Sequence, residues 1–121
     1  MDMESPVVES TTWQTLRSRW SEVINRAALG NVQFELTFRG GAPTAVLMSV
    51  ARWEAGQKLV PTGEPLDLTA GPAKTDLRRI REWTQADAHV VLTRYGKPEV
   101  VFAPVGWVIA VERASQGLAG G

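Results

Sequence analysis

Val32-Gln33-Phe34-Glu35-Leu36-Thr37-Phe38 (VQFELTF) alternates without interruption, with Val32, Phe34, Leu36 and Phe38 on one side and Gln33, Glu35 and Thr37 on the other. A period of two sustained along such a run predicts a strand with one buried face. Arg39-Gly40-Gly41-Ala42-Pro43 supplies turn-forming residues, and Thr44–Met48 (TAVLM) is a β-rich apolar run. Together the three segments predict a β-hairpin.

The same pattern recurs further along the chain. Ala88–Arg94 (AHVVLTR) sets Ala88, Val90 and Leu92 on one face, Tyr95-Gly96-Lys97-Pro98 is the turn, and Val100–Ala103 (VVFA) is the return strand. Thr37, Gly40 and Pro43 reappear as Thr93, Gly96 and Pro98, with one residue fewer in the second turn. Each hairpin follows an amphipathic segment. Thr12 can cap a helix whose stripe is Leu16, Trp20, Val23, Ile24 and Ala27, ending at Gly30. Thr69 can cap a second helix over Pro72–Gln85, with Ala73, Leu77, Ile80 and Thr84 on its stripe. An offset of 57 carries Thr12 onto Thr69, Trp20 onto Leu77 and Val23 onto Ile80.

Short β-like stretches precede both helices, Val7-Val8 and Leu66-Asp67-Leu68. Tryptophan-bearing segments that read as short helices follow both hairpins, Val50–Gly56 and Val105–Ala114. The repeating unit is therefore strand, helix, hairpin, short helix. The boundaries expected are 1–57 for the first copy, 58–65 for a Pro- and Gly-bearing linker (KLVPTGEP) and 66–121 for the second. A unit of this size falls below what usually folds alone. The expected fold is α+β, two repeats packed on each other as an intramolecular pseudo-dimer, the linker raising their effective concentration to about millimolar.

Composition narrows the function classes. The 121 residues are 44% hydrophobic and 21% charged, which suits a globular chain. Without cysteine there are no disulfides, thiolate metal sites or cysteine nucleophiles, and one histidine leaves little for a metal centre. No motif pairs a nucleophile with a base, so neither catalytic nor cofactor-binding residues are expected. No run is apolar enough to span a membrane and Met1–Ser10 is acidic, so a cytoplasmic protein is expected. Thirteen basic and thirteen acidic residues cancel, so any nucleic-acid contact has to come from local clusters of cations.

Thr37–Ser49 (TFRGGAPTAVLMS), Thr93–Val101 (TRYGKPEVV) and Lys74-Thr75-Asp76-Leu77 resemble the Phd/YefM family of antitoxins, once per copy. The resemblance implies a small α+β unit that dimerises into a DNA-binding core. It assigns DNA contact to Arg17 and Lys74 on the helices and to Arg39 and Arg94 at the strand ends, with Arg19 as an added neighbour. The first copy departs from the family pattern by one inserted turn residue and by Phe38 where a basic residue is usual. Ala114–Gly121 is too short and too poor in apolar residues to wrap a toxin, so the family's neutralising segment is expected to be missing.

The function this implies is that of an antitoxin-like, sequence-specific DNA-binding transcriptional regulator. Its partner would be double-stranded DNA carrying an imperfect inverted repeat, with a cognate toxin as a second partner and no membrane. The chain would act as a monomeric pseudo-dimer that can assemble further. The alternative is a protein-interaction module that binds a toxin or other partner without DNA. Other residues read as structural. Arg78 can pair with Glu82 one helical turn on, Arg81 reads as a solvated helix charge and Trp20 as core. Trp53 and Trp107 read as equivalent packing residues, Trp13 and Trp83 as cover for the interface between copies or for a partner, and His89 as a structural or surface residue.

Overall fold

The computed structural model describes residues 7–30 and 32–120, the last three by backbone only. The first part of the acidic Met1–Ser10 stretch thus lies outside the described residues. The elements in chain order are β1 (Val7–Thr12), α1 (Trp13–Ser18), α2 (Trp20–Ala28), β2 (Val32–Thr37), β3 (Pro43–Ser49) and α3 (Val50–Leu59). They continue with β4 (Leu66–Thr69), α4 (Ala70–Ala73), a 3-10 turn (Lys74–Asp76), α5 (Leu77–Gln85), β5 (Val90–Arg94), β6 (Lys97–Pro104) and α6 (Val105–Gly120).

All six strands join one mixed sheet, in the order β1-β2-β3-β6-β5-β4. The outer pairs, β1 with β2 and β4 with β5, are parallel, and the inner pairs are antiparallel. The order reads alike from either edge, and the registers agree with it. Bulges interrupt the two hairpins at Leu36/Thr37 and at Leu92/Thr93. Phe34 faces Leu47 as Val90 faces Phe102, and at the centre Leu47 faces Phe102 itself. A two-fold relation through the Leu47–Phe102 pair would produce this pattern.

Helices cover both faces. Leu16, Trp20, Ile24, Ala73, Leu77 and Ile80 pack from α1, α2, α4 and α5 onto Phe34, Leu36, Leu47, Leu92 and Phe102. On the other face Trp107 and Val108 of α6, with half-buried Trp53 of α3, cover Val46, Met48, Val91 and Val101. Gln33 and His89, on the side the alternation marks as polar, are consequently buried as well. The one-sided strand expected from VQFELTF is corrected accordingly, because α3 and α6 shield its second face. The unbroken apolar runs of β3 and β6 have the composition of strands buried on both sides.

Both long helices break at the same place. Arg19 (φ −119, ψ 37) separates α1 from α2, and Asp76 (φ −110, ψ 22), 57 positions later, precedes α5. The second helical segment starts at Ala70 rather than Pro72. Thr12 caps α1 as expected, its Oγ1 accepting from the Thr15 amide at 2.9 Å. Thr69 holds the cap position but makes no side-chain bond. The corresponding third helical residue there is Pro72, which has no N–H to donate. Between the repeats, helix α3 continues to Leu59, so regular structure enters the 58–65 segment. The Gln57 side chain holds both the amide and the hydroxyl of Thr62.

Gly56 of α3 lies against the Trp107 ring, where an added Cβ would sit 2.6 Å from the nearest ring carbon. The ring cannot easily retreat, since its indole N–H donates to the Val60 carbonyl at 2.9 Å. Gly56→Ala should therefore destabilise the protein by about 1–3 kcal/mol in urea denaturation. The two capping threonines should behave differently in the same measurement. Thr12→Ala is expected to cost about 1 kcal/mol, and Thr69→Ala close to nothing.

Candidate nucleic-acid interface

Each parallel strand pair brings the start of a helix beside the end of a hairpin strand. Thr12, which opens α1, is level with Thr37, and Thr69, before α4, is level with Thr93. A cleft of about 240 Å³ at the first junction is lined by Thr12, Trp13, Gln14, Thr37, Phe38 and Arg39. Arg39 therefore stands at one end of the sheet and Arg94 at the other, while Arg17 and Arg19 follow on the helix that opens beside Thr12 and Lys74 on the helical stretch that opens after Thr69. All five are exposed.

The five differ in what already holds them. Arg19 pairs with Glu22 at 3.7 Å, and Arg94 with Glu99 at 3.1 Å. Arg17, Arg39 and Lys74 have no ion pair among the described residues. Arg17 and Lys74 are equivalent under the 57-residue offset and both stand in the short helical stretch ahead of the break. Arg78 pairs with Glu82 at 3.2 Å, as the helical spacing anticipates. Arg81 is only half exposed, and its guanidinium lies 4.0 Å from the centre of the Phe38 ring. It packs α5 against the end of the first hairpin rather than standing as a solvated charge.

The hairpin turns are alike in backbone. Arg39-Gly40 and Tyr95-Gly96 all have positive φ, between 52° and 75°, which identifies a type I′ turn at each tip. The first loop carries Ala42 as its extra residue, since Thr37 pairs with Pro43 and Thr93 with Pro98. Antiparallel pairing of β3 with β6 sends the two tips to opposite ends of the sheet. By continuation of that register Lys97 stands nine positions from Pro43, about 30 Å at 3.3 Å per residue. The turns extend a few ångströms beyond at each end, giving about 35 Å or slightly more from tip to tip. Tyr95 and Lys97, both exposed at the second tip, are the residues that reading the sequence passed over. The signal for them was the equivalence of Tyr95 with Arg39.

The tryptophans resolve into structural roles. Trp13 stacks on Phe102 of β6, centroids 5.8 Å apart, and donates to Thr44 Oγ1 at 3.2 Å. Trp83 is half-buried beneath the Arg79 guanidinium. Trp53 and Trp107 are not at equivalent positions, because α3 and α6 start 55 residues apart and Trp107 therefore matches Arg52. Both nonetheless converge on His89. Trp53 Nε1 donates to His89 Nδ1 at 2.9 Å, and the Trp107 ring meets the imidazole edge-on at 4.9 Å. On that same face a groove of about 480 Å³ runs between α3 and α6, with Gln33, Met48, Arg52 and Trp107 in its lining.

Among the described residues no group of three His, Asp or Glu side chains could hold a metal ion, and no helix is long and apolar enough to cross a membrane. Compared with models of known protein families, with curated proteins and with solved structures, the chain matches none.

Burial pushes the His89 imidazole below its ordinary 6.5, while Asp87 pulls weakly the other way. Its Nδ1 accepts from Trp53, so the neutral ring carries its proton on Nε2. Above about pH 6.5 folded and unfolded chains are both neutral at this residue, and stability is complete. As pH falls, the unfolded chain is protonated first, so stability declines from about pH 6.5 down to the lower folded value. His89→Gln keeps an acceptor for Trp53 but cannot titrate. Urea midpoints measured from pH 8 to pH 5 should fall more steeply for the wild type than for this variant. Parallel profiles would exclude His89 as the source.

Proposed function

We propose that this chain is an antitoxin-like, sequence-specific DNA-binding protein of the Phd/YefM type, acting as a transcriptional regulator in the cytoplasm. Two repeats, each strand, broken helix, hairpin and closing helix, serve as the two subunits of a dimer; the closing helix of the second, α6, runs to Gly120, well past the short segment ending at Ala114 that the sequence suggests. The observation that carries this reading is the β3–β6 register. It centres the molecule on Leu47 and Phe102 and sets the hairpin tips about 35 Å apart, close to the rise of one B-DNA turn, about 34–36 Å. Half-sites one turn apart would then meet one tip each.

The division of labour among the cations follows from their pairing. Arg17 and Lys74, equivalent and without carboxylate partners among the described residues, are suited to neutralising phosphates and fixing the protein on the duplex. Arg39 stands at a turn able to reach base edges. Arg19 and Arg94 must first leave Glu22 and Glu99, so each contributes less net attraction.

Fluorescence anisotropy with duplex DNA from upstream of the chain's own reading frame tests the proposal. Affinity should fall with salt along a log–log slope near about −4. Arg17→Ala and Lys74→Ala should each flatten that slope by about 1, with Arg19→Ala and Arg94→Ala doing less. Absence of binding to any duplex, or binding insensitive to salt, rules the proposal out and leaves the protein-interaction alternative. The groove between α3 and α6 supports that second reading, and a pull-down with the product of the neighbouring reading frame addresses it.

A further inference from the structure

The two hairpin turns share a backbone but differ at one exposed position. Arg39 (φ 54) and Tyr95 (φ 52) each open the central pair of a turn and are followed by Gly40 and Gly96. A left-handed φ at this position suits asparagine or glycine and disfavours a bulky ring. Tyr95 gains nothing in return from packing, since it is 97% exposed. Arg39, in contrast, holds its guanidinium 5.1 Å from the Phe38 ring centre, and Arg81 approaches the same ring from α5. One end of the sheet thus presents a guanidinium on an aromatic platform, the other a bare phenol beside exposed Lys97. A strained, solvent-facing aromatic that stabilises nothing in the fold is a feature to be explained by binding.

We propose that Tyr95 contacts bases at one half-site while Arg39 reads the other, so that the chain binds a duplex in a single orientation. This rests on the DNA-binding reading above. A planar ring can stack on bases or contact a thymine methyl, whereas a guanidinium is matched to the paired acceptors of guanine. In a dimer of identical subunits both tips carry the same residue, and the site can be entered from either direction. Here one covalent chain presents two unlike tips, each with its own preference, and the duplex acquires a direction.

Selection from a pool of random-sequence duplexes by the full chain tests this. The wild type should enrich sites with two unlike halves, centred about 10 base pairs apart. Tyr95→Asn suits the positive φ and should melt at or above the wild-type temperature, so a loss of binding cannot come from unfolding. It should lose sequence preference at one half only and bind the wild-type-selected duplex at least about fivefold more weakly. Tyr95→Arg should draw the second half toward the sequence of the first. Symmetric sites selected by the wild type, or the same sites and affinity with Tyr95→Asn, would overturn the assignment of Tyr95 while leaving DNA binding intact. Retention of no duplex by the wild type would remove the DNA-binding reading and this inference with it.

Discussion

Everything in this fold depends on the antiparallel pairing of β3 with β6. Neither hairpin, with one parallel strand and one helical layer, encloses enough apolar surface to stand by itself. Joined through Ala45–Ser49 and Val100–Pro104, they form a sheet wide enough to be covered on both faces. Leu47 and Phe102 face each other at its centre, both fully buried. Side-chain contacts far apart in sequence reinforce that seam. Trp13 stacks on Phe102, Trp53 donates to His89, Trp107 donates to Val60, and Arg81 covers Phe38.

The seam also sets the geometry available for function. Because β3 and β6 run in opposite directions, their turns point away from each other and the separation follows from strand length together with the register at Leu47 and Phe102. The helical cations Arg17 and Lys74 stand at equivalent positions in the helical stretches that follow β1 and β4. The two ends are nonetheless chemically distinct. The first carries Arg19 where the second carries Asp76, and Arg39 where the second carries Tyr95. A chain with zero net charge can in this way present localised cations, since what acts on a phosphate lies within a Debye length of it.

The opposite face is built differently. α3 and α6 begin at equivalent points of the sheet, yet α6 runs to Gly120 and α3 ends at Leu59. Trp107 fills the space that Gly56 leaves open, and that close approach seats the two helices on the sheet. His89 and Gln33 are polar residues enclosed by this arrangement. Burial disfavours the charged form of His89 and Trp53 orients its ring, so it ties the helical layer to the sheet.

Much of the architecture could be read from local pattern, because it depends on neighbours close in sequence. The helical stripe through Trp20 and Val23, the Thr12 cap and the Gly40 and Gly96 turns are all short-range features, and each is where the pattern sets it; the alternation of VQFELTF holds for Val32, Phe34 and Leu36 but fails at Phe38, which lies past the end of β2 and is exposed. The candidate cations came from the family resemblance instead, and of them only Arg17 and Lys74 fall at matching offsets. Which of them are already bound to carboxylates was legible for Arg78 with Glu82, one helical turn apart. For Arg94 it was not, because Glu99 reaches it across a hairpin.

The amino-acid order by itself determined the strand alternation, the helical stripes with their recurrence and the turns, since backbone preference and side-chain period act over a few residues. Only the tertiary structure decided that β3 meets β6 at Leu47 and Phe102, that α3 and α6 close the second face over His89 and Gln33, and that Tyr95 is left bare. Those outcomes arise from contacts between residues tens of positions apart, where burial is settled by the shape of the whole molecule and no local period records it.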